Sequence, residues 1–426
     1  MASAYLSRTQ GTATLDTKYT FSCWIKRSKI TDRQQFIRTT GYGYFEFQAD
    51  DKLHYYDVAT GGDLVTNKVF RDTNAWYHIV LSVDTTLATA DDRHKIYING
   101  VQETSFSGRT NPTQNNGGYF FDDGRVMYIG SNEGSNLFFN GCISHLHGID
   151  GTAYDASTFG ESDSNGVWIP KFSPSVTYGT NGFFLKFDNS GNMGLDSGGG
   201  SNNFTTSGTI TQAKDTPSNV FATWNPLDNG RTWSGTIGLK NGNTTQDNAS
   251  DGSPISTLGM TSGKWYAEIK IVNATNTRTV GIIDMASNNS YIGHGSIAEP
   301  ISYAYNTASQ SLWSGTTEAA TSVGEGVAGD IISVLVDLDS ATKTIKFKRN
   351  NVDLSGTTQL TISQSDITWG FVLRCDGGQI MSANFGNGYF GTTAVTSAGT
   401  NASDNGIFEY DVPTGYTALS TKGLDS

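Results

Sequence analysis

Hydrophobic residues recur at every second position along most of the chain, the period of a β-strand with one face buried. In "YTFSCWIKRS" Phe21, Cys23 and Ile25 fall on one face while Ser22, Trp24 and Lys26 fall on the other. In "WYHIVLSVD" Tyr77, Ile79, Leu81 and Val83 share a face. The alternation continues through "VMYIGS", "GCISHLHGID" and "GFFLKFD" to about residue 188, with no convincing helical period before that point. It resumes beyond "FATWNPLD": "GKWYAEIKIV" aligns Trp265, Ala267, Ile269 and Ile271, and "DIISVLVDLD" aligns Ile332, Val334, Val336 and Leu338. Between the two regions Gly, Ser, Asn and Thr crowd out large apolar residues. The pattern predicts an all-β protein of two domains, 1–188 and 220–426. A Gly/Ser/Asn-rich connection over 189–219 is expected to lie along the surface or to be partly mobile.

One device occurs in both domains. "HKIYINGV" follows "WYHIVLSVD" across a polar turn, and "TIKFKRNNVDL" follows "GDIISVLVDLD" in less space. Each reads as strand, turn, partner strand and a tight Asn-containing turn, which is hairpin chemistry. The spacing places Ile96 and Ile98 toward the core, turns Tyr97 away and lets Asn99-Gly100 reverse the chain. A meander of this kind fits a β-sandwich.

Composition narrows the partners. The 426 residues include 50 glycines and only 16% are charged, a mixture suited to short strands and tight turns and unsuited to long helices. A net charge of -12 leaves no basis for gripping a phosphate backbone, so nucleic acid is excluded as a partner. No segment approaches the run of about 20 apolar residues that crosses a membrane. The opening "MASAYLSRTQGTATLD" lacks the apolar centre of a secretory signal, so assembly in a cytoplasm is expected. Cys23, Cys142 and Cys375 are odd in number and far apart, which predicts buried free thiols, with a Cys23–Cys142 bridge as the alternative.

Catalytic chemistry is hard to place. A retaining glycanase needs two carboxyl groups about 5 to 5.5 Å apart. Here Glu46, Glu103, Glu133, Glu161, Glu268, Glu299, Glu318, Glu325 and Glu409 are scattered singly, with no carboxylate two residues from Glu46 or Glu268. No G-x-S-x-G elbow occurs. The expectation is a protein that is not an enzyme. Asp337 and Asp339 read as turn-forming aspartates. Asp122 and Asp123, adjacent in "FFDDGRVMYIG", are the candidates for a calcium ion, although two carboxylates fall short of its six to eight oxygen ligands. His145 and His147 are expected on one side of a strand, where a metal shared between subunits could use them. Exposed aromatic rings are the candidates for sugar contact, because their faces cover C–H surfaces while Asn and Asp bond hydroxyls. These are Tyr42 and Tyr44 in "GYGYFEF" and Tyr303, Tyr305 and Trp313 in "SYAYNTASQSLWSG".

The order "FSCWIKRS", "WYHIVLSVD", "KIYINGV", "MYIGS" and "FNGCISHLHGIDGTAYD" over residues 1–188 resembles the concanavalin A-like lectin/laminin G group. "SGKWYAEIKI", "SYAYN", "GDIISVLVDLDSATKTIKFKRNNVDL" and "PTGYTAL" make the second domain similar to the SPRY group. The resemblance implies two tandem concanavalin-like antiparallel β-sandwiches of jelly-roll type. With "AYLSRT", "FGESDSNGVWIPK" and "YGTNGFFLKFDNS", the pairing also looks like structural proteins of tailed bacteriophages. That implies a capsid decoration or tail-fibre component, multicopy or homo-oligomeric on the virion, assembled in the host cytoplasm. Its expected partners are other virion proteins and a host surface glycan. The alternative is a carbohydrate-binding lectin module or a hydrolase of host polysaccharide.

Overall fold

The computed structural model describes residues 4–228, 237–247, 252–287, 292–293, 301–356 and 359–425. The chain divides into two compact units, Met1–Gln212 with Thr216–Ser218, and Ala213–Asp215 with Asn219–Ser426. The first unit begins with β1 (Tyr5–Thr9), β2 (Lys18–Arg27), β3 (Gln34–Thr39), β4 (Gly43–Phe47), β5 (Lys52–Asp57), β6 (Gly62–Val69), β7 (Trp76–Asp84) and β8 (His94–Ile98). It continues with β9 (Val101–Gln102), β10 (Phe106–Thr110), β11 (Val126–Ile129), β12 (Gly141–Asp150), β13 (Gly160–Ser162), β14 (Trp168–Pro170), β15 (Phe183–Leu185) and β16 (Thr205–Ser207). Eight strands form one sheet in the order β10-β6-β5-β4-β3-β11-β1-β16, and six form another in the order β15-β12-β2-β7-β8-β9. Phe21, Ile25, Ile79 and Leu81 of the six-stranded sheet share one core with Phe45, Phe47, Leu53 and Tyr55 of the eight-stranded sheet.

Strand β2 is buried on both faces along nearly its whole length. Ser22 and Trp24, which alternation places on an outward face, are 1% and 3% exposed. The cause is a second apolar layer: Ala156 and Phe159, with Trp168, Val176 and Tyr178 packed alongside, cover Val80 and Ile149 on the back of the six-stranded sheet. Much of the segment read as a connection is likewise structure of the first unit. Strand β16 pairs antiparallel with β1, setting Leu6 opposite Thr206. Phe204 joins the core and meets Phe183 edge-on at 4.7 Å. Met193 and Phe204 are both buried, so two apolar anchors suffice to dock a polar, glycine-rich stretch.

The second unit is also a sandwich of predominantly antiparallel strands. One sheet runs through Ile380–Asn384, Lys264–Ile271, Ile331–Asp337 and Thr344–Arg349; the other through Ser311–Ser314, Ser302–Asn306, Arg278–Asp284 and Trp369–Cys375. Trp265, Ala267, Ile269 and Ile271 pack in one core with Ile332, Val334, Val336 and Leu338, as the alternation predicts. None of the three cysteines forms a disulfide; Cys23 and Cys375 are buried and Cys142 is half-buried.

The recurrent hairpin closes in the same way in both units. Asn99 and Gly100 have φ of +48° and +83°, and Asn350 and Asn351 have φ of +50° and +62°. Two successive positive φ values match the right-handed twist of the flanking strands. The Asn99 side chain accepts from His78 N–H at 2.8 Å while its own N–H donates to His78 C=O at 2.9 Å. Asn350 does the same with Ile331, at 2.9 and 2.8 Å. Each asparagine therefore locks the tip of one strand pair to the start of the preceding strand.

Asn99→Ala or Asn350→Ala leaves a main-chain N–H without its partner and is expected to cost about 1–3 kcal/mol in the affected unit only. Gly100→Val combines left-handed strain of about 1–3 kcal/mol with a collision. A Cβ at Gly100 would stand 2.8 Å from the Trp168 ring. Calorimetric unfolding of the full chain checks this, with Asn99 and Gly100 variants lowering one transition and Asn350 variants the other.

Candidate functional site

The outer face of the eight-stranded sheet is built by register. Core residues Leu6, Ile37, Phe45, Tyr55 and Leu64 point inward, so their strand neighbours point out. The pairings Ser7–Tyr128, Tyr128–Arg38, Arg38–Tyr44, Tyr44–Tyr56 and Tyr56–Asp63 follow one another across adjacent strands. These six side chains stand in one row at right angles to the strands. Tyr44 and Tyr56 are half-buried, and their ring centroids lie 5.2 Å apart at 31°. Tyr42 sits in the turn between β3 and β4 at φ +74° and is 66% exposed. The Arg38 guanidinium lies 5.1 Å from the Tyr42 ring and 5.8 Å from the Tyr44 ring, a stacked cation–π arrangement.

Two residues further along the strands lies a network of charges. Glu46, fully buried, takes both carboxylate oxygens to Arg33 Nε at 2.9 and 3.0 Å. It also accepts from Gln35 at 2.8 Å and lies 3.3 Å from His54 Nδ1. The other His54 nitrogen, Nε2, lies 3.1 Å from Asp63. Burial alone would raise the Glu46 pKa, but hydrogen bonds from His54, Gln35 and Arg33 outweigh it and hold the carboxylate below its ordinary value. Burial would lower that of His54, yet Asp63 and Glu46 leave it raised. Glu46 therefore stays ionised with its oxygens occupied, which suits it to orienting neighbours and not to donating a proton.

A serine and a histidine also meet in the first unit, and they are not a nucleophile and its base. Ser22 Oγ lies 2.9 Å from His78 Nε2, while Trp168 Nε1–H donates to His78 Nδ1 at 2.9 Å. With Nδ1 accepting, the neutral ring carries its proton on Nε2 and donates to Ser22, the reverse of base activation. Both residues are shut off from solvent.

The other predicted site residues are dispersed. Tyr303 and Tyr305 are 1% and 0% exposed, in the core of the second unit, and cannot present faces to a sugar. They share a strand face, and their hydroxyls find partners at the sandwich edge: Tyr303 with Ser363 and Gln364, Tyr305 with Gly324 C=O at 2.6 Å. Trp313 is half-buried against Ile283 and Val372, its Nε1–H donating to Ser311 at 2.8 Å. Asp122 is paired with Arg125 at 3.1 Å, while Asp123 faces solvent. His145 and His147 do not align: the strand shifts register between Ser144 and His147, and His145 takes φ +46°. His147 stacks on Phe184 at 3.9 Å and bonds Tyr178 at 2.9 Å. Among the described residues no three His, Cys, Asp or Glu side chains are grouped to hold a metal. Asp337 closes its turn by accepting from Asp339 and Ser340 N–H. Glu268 is fully buried and accepts from Tyr266 and from the main chain of Glu409 and Tyr410. Glu299 lies outside the described residues.

Of the sequence candidates, Tyr42 and Tyr44 come together; Arg33, Arg38, His54, Tyr56 and Tyr128 join them unannounced. The alternation of "YFEF" against "LHYYD" marks which residues face out. It does not say which strands are neighbours.

Residues 2–156 match the family described as the concanavalin A-like lectin/glucanases superfamily. The matched segment contains the whole central part of the face. Both units are all-β sandwiches of predominantly antiparallel strands, as the alternation predicts. No protein with a curated description matches the chain. Among solved structures, the SPRY domain of human HERC1 is similar at 16% identity and a TM-score of 0.29, covering 34% of this chain and 91% of that one. The TRIM65 PSpry domain is similar at 14% identity and a TM-score of 0.30, covering 38% and 89%. A "putative carbohydrate binding protein" from Bacteroides ovatus is similar at 19% identity and a TM-score of 0.35, covering 48% and 56%. Likenesses of this size carry no functional argument.

The titrating groups give the two units opposite responses to acid. Burial holds His145 and His147 below their ordinary pKa, and lowers His78 to about 3 and His94 to about 4. An unfolded chain takes up these protons near pH 6.5, so the unfolded first unit binds more protons below that pH and the fold loses stability there. Asp57, raised to about 6 by burial, and His54 oppose the loss, two groups against four. In the second unit burial raises Glu268 to about 7, so its contribution is present at low pH and is lost as pH rises toward 7. Lowering the pH from about 7.5 to about 5 should therefore reduce the melting temperature of the first unit and not that of the second. Calorimetry checks this, and Glu268→Gln should flatten the response of the second transition.

Proposed function

We propose that the first unit is a non-catalytic carbohydrate-binding module whose ligand lies on the outer face of the eight-stranded sheet. One observation carries this reading: Tyr42, Tyr44 and Tyr56 gather on a solvent-facing sheet surface among arginines and carboxylates already bonded to one another. Aromatic rings supply flat apolar area for sugar C–H groups, and oriented polar groups at their edges select hydroxyls. The superfamily match over residues 2–156 supports the same reading. Glu46, two residues along β4 from Tyr44, takes four donor contacts, which speak for binding without turnover. A place on the particle of a tailed bacteriophage rests on the sequence resemblance alone. Mass spectrometry of purified particles tests it.

Binding to immobilised host polysaccharides should fall about tenfold or more in Tyr44→Ala and in Tyr42→Ala, the loss of about 1.4 kcal/mol of ring contact. Trp313→Ala, in the other unit, should leave it unchanged. Equal binding by all three variants overturns this location. Release of reducing ends that disappears in Glu46→Gln overturns the non-catalytic reading.

A further inference from the structure

The row of outward side chains does not end at the tyrosines. Ser7 is also paired with Thr205 on β16, and Asp63 with Thr110 on β10, so the register is unbroken from one edge of the sheet to the other. The sheet has eight strands; seven spacings of about 4.8 Å make the row about 34 Å long. Apart from Arg38, every side chain in it is exposed or half-buried.

The aromatic members are spaced along this line. Tyr44 and Tyr56 stand on adjacent strands, and Tyr128 stands two strands from Tyr44 on the other side of Arg38. Three strand spacings separate Tyr128 from Tyr56, about 14 Å. That exceeds the width of one sugar ring. Beyond Tyr128 the line of rings continues with Tyr5, whose centroid lies 5.9 Å from that of Tyr128.

Charge along the row is balanced locally. Arg38 is paired with Glu133 at 2.7 Å, Arg33 with Glu46 at 2.9 Å, and His54 lies between Glu46 and Asp63. Among the described residues of this row and the network beside it, Arg38, Arg33 and His54 are all paired, so no cation there is left over to attract a polyanion, and the chain as a whole carries -12. Two buried side-chain atoms of β3 have no hydrogen-bond partner: Arg38 Nε, a donor, and Gln35 Oε1, an acceptor. Their residues are 5% and 2% exposed.

We infer that the ligand of this face is an extended, uncharged glycan chain that runs across the strands, with one subsite over the Tyr44–Tyr56 pair and another over Tyr128. This rests on the carbohydrate-binding reading and adds ligand length, direction and charge. A disaccharide covers the Tyr44–Tyr56 pair; a longer chain also reaches Tyr128.

Titration calorimetry with cello-, laminari-, manno- and xylo-oligosaccharides, each as disaccharide, tetrasaccharide and hexasaccharide, tests this. In at least one series affinity should rise about tenfold from disaccharide to hexasaccharide. Tyr128→Ala should remove that gain and leave the disaccharide affinity unchanged; an unaltered melting temperature shows that the variant is folded. Equal affinity at all lengths, with Tyr44→Ala still abolishing it, overturns the extended ligand and leaves the carbohydrate-binding reading standing. Tighter binding of oligogalacturonates of the same lengths overturns the uncharged ligand. No binding of any series, nor of the parent polysaccharides, overturns both readings together.

Discussion

Cross-strand register is the constraint on which the rest of this structure depends. A strand turns alternate side chains to opposite faces, and a slip of one residue would exchange the two sets. In the eight-stranded sheet, Phe45, Phe47, Leu53 and Tyr55 hold the register by filling the core. The same register stands Tyr44, Tyr56 and Arg38 in line on the outside. The proposed binding face is thus the reverse side of the core, and neither can move without the other.

Buried polar groups hold what hydrophobic packing alone leaves free. Arg27 and Asp51, both 0% exposed, pair at 3.0 Å, and Asp51 also accepts from Thr31 N–H and Arg71, tying the ends of β2 and β5 to neighbouring turns. Glu268 plays the corresponding part in the second unit by accepting main-chain donors of Glu409 and Tyr410. A lone buried carboxylate would be costly; with its donors in place it fixes a loop. The asparagine turns are a third such device, and their recurrence with matching bonds shows the two sandwiches solving one closure problem in one way.

The strands and cores were legible in the sequence because period two is a local property. The alternation of Trp265 to Ile271 and of Ile332 to Leu338 corresponds to a single core. Less legible was everything that depends on a second layer. Ser22 and Trp24 read as outward, yet the layer around Phe159 and Trp168 buries them. Residues 189–219 read as a connection because their composition is polar, while Phe204 and the β16 pairing bind those up to Gln212 to the first unit. Tyr303 and Tyr305 read as available rings because they flank a polar loop, and alternation equally allowed the inward orientation that they take.

By itself the sequence determined the all-β class, two sandwiches and the twice-used asparagine turn, since all of these follow from local periodicity and from side chains suited to positive φ. It also placed Tyr42 and Tyr44 beside glycines. Only the tertiary structure decided that Tyr44 would stand between Arg38 and Tyr56, that Tyr128 would continue the row, and that Glu46 would be bound by Arg33, Gln35 and His54. The physical reason is that β1, β3 and β11 become neighbours through long-range pairing. Residues 7, 38 and 128 meet in one line only after the sheet has closed, and no local pattern along the chain records which strands will lie side by side.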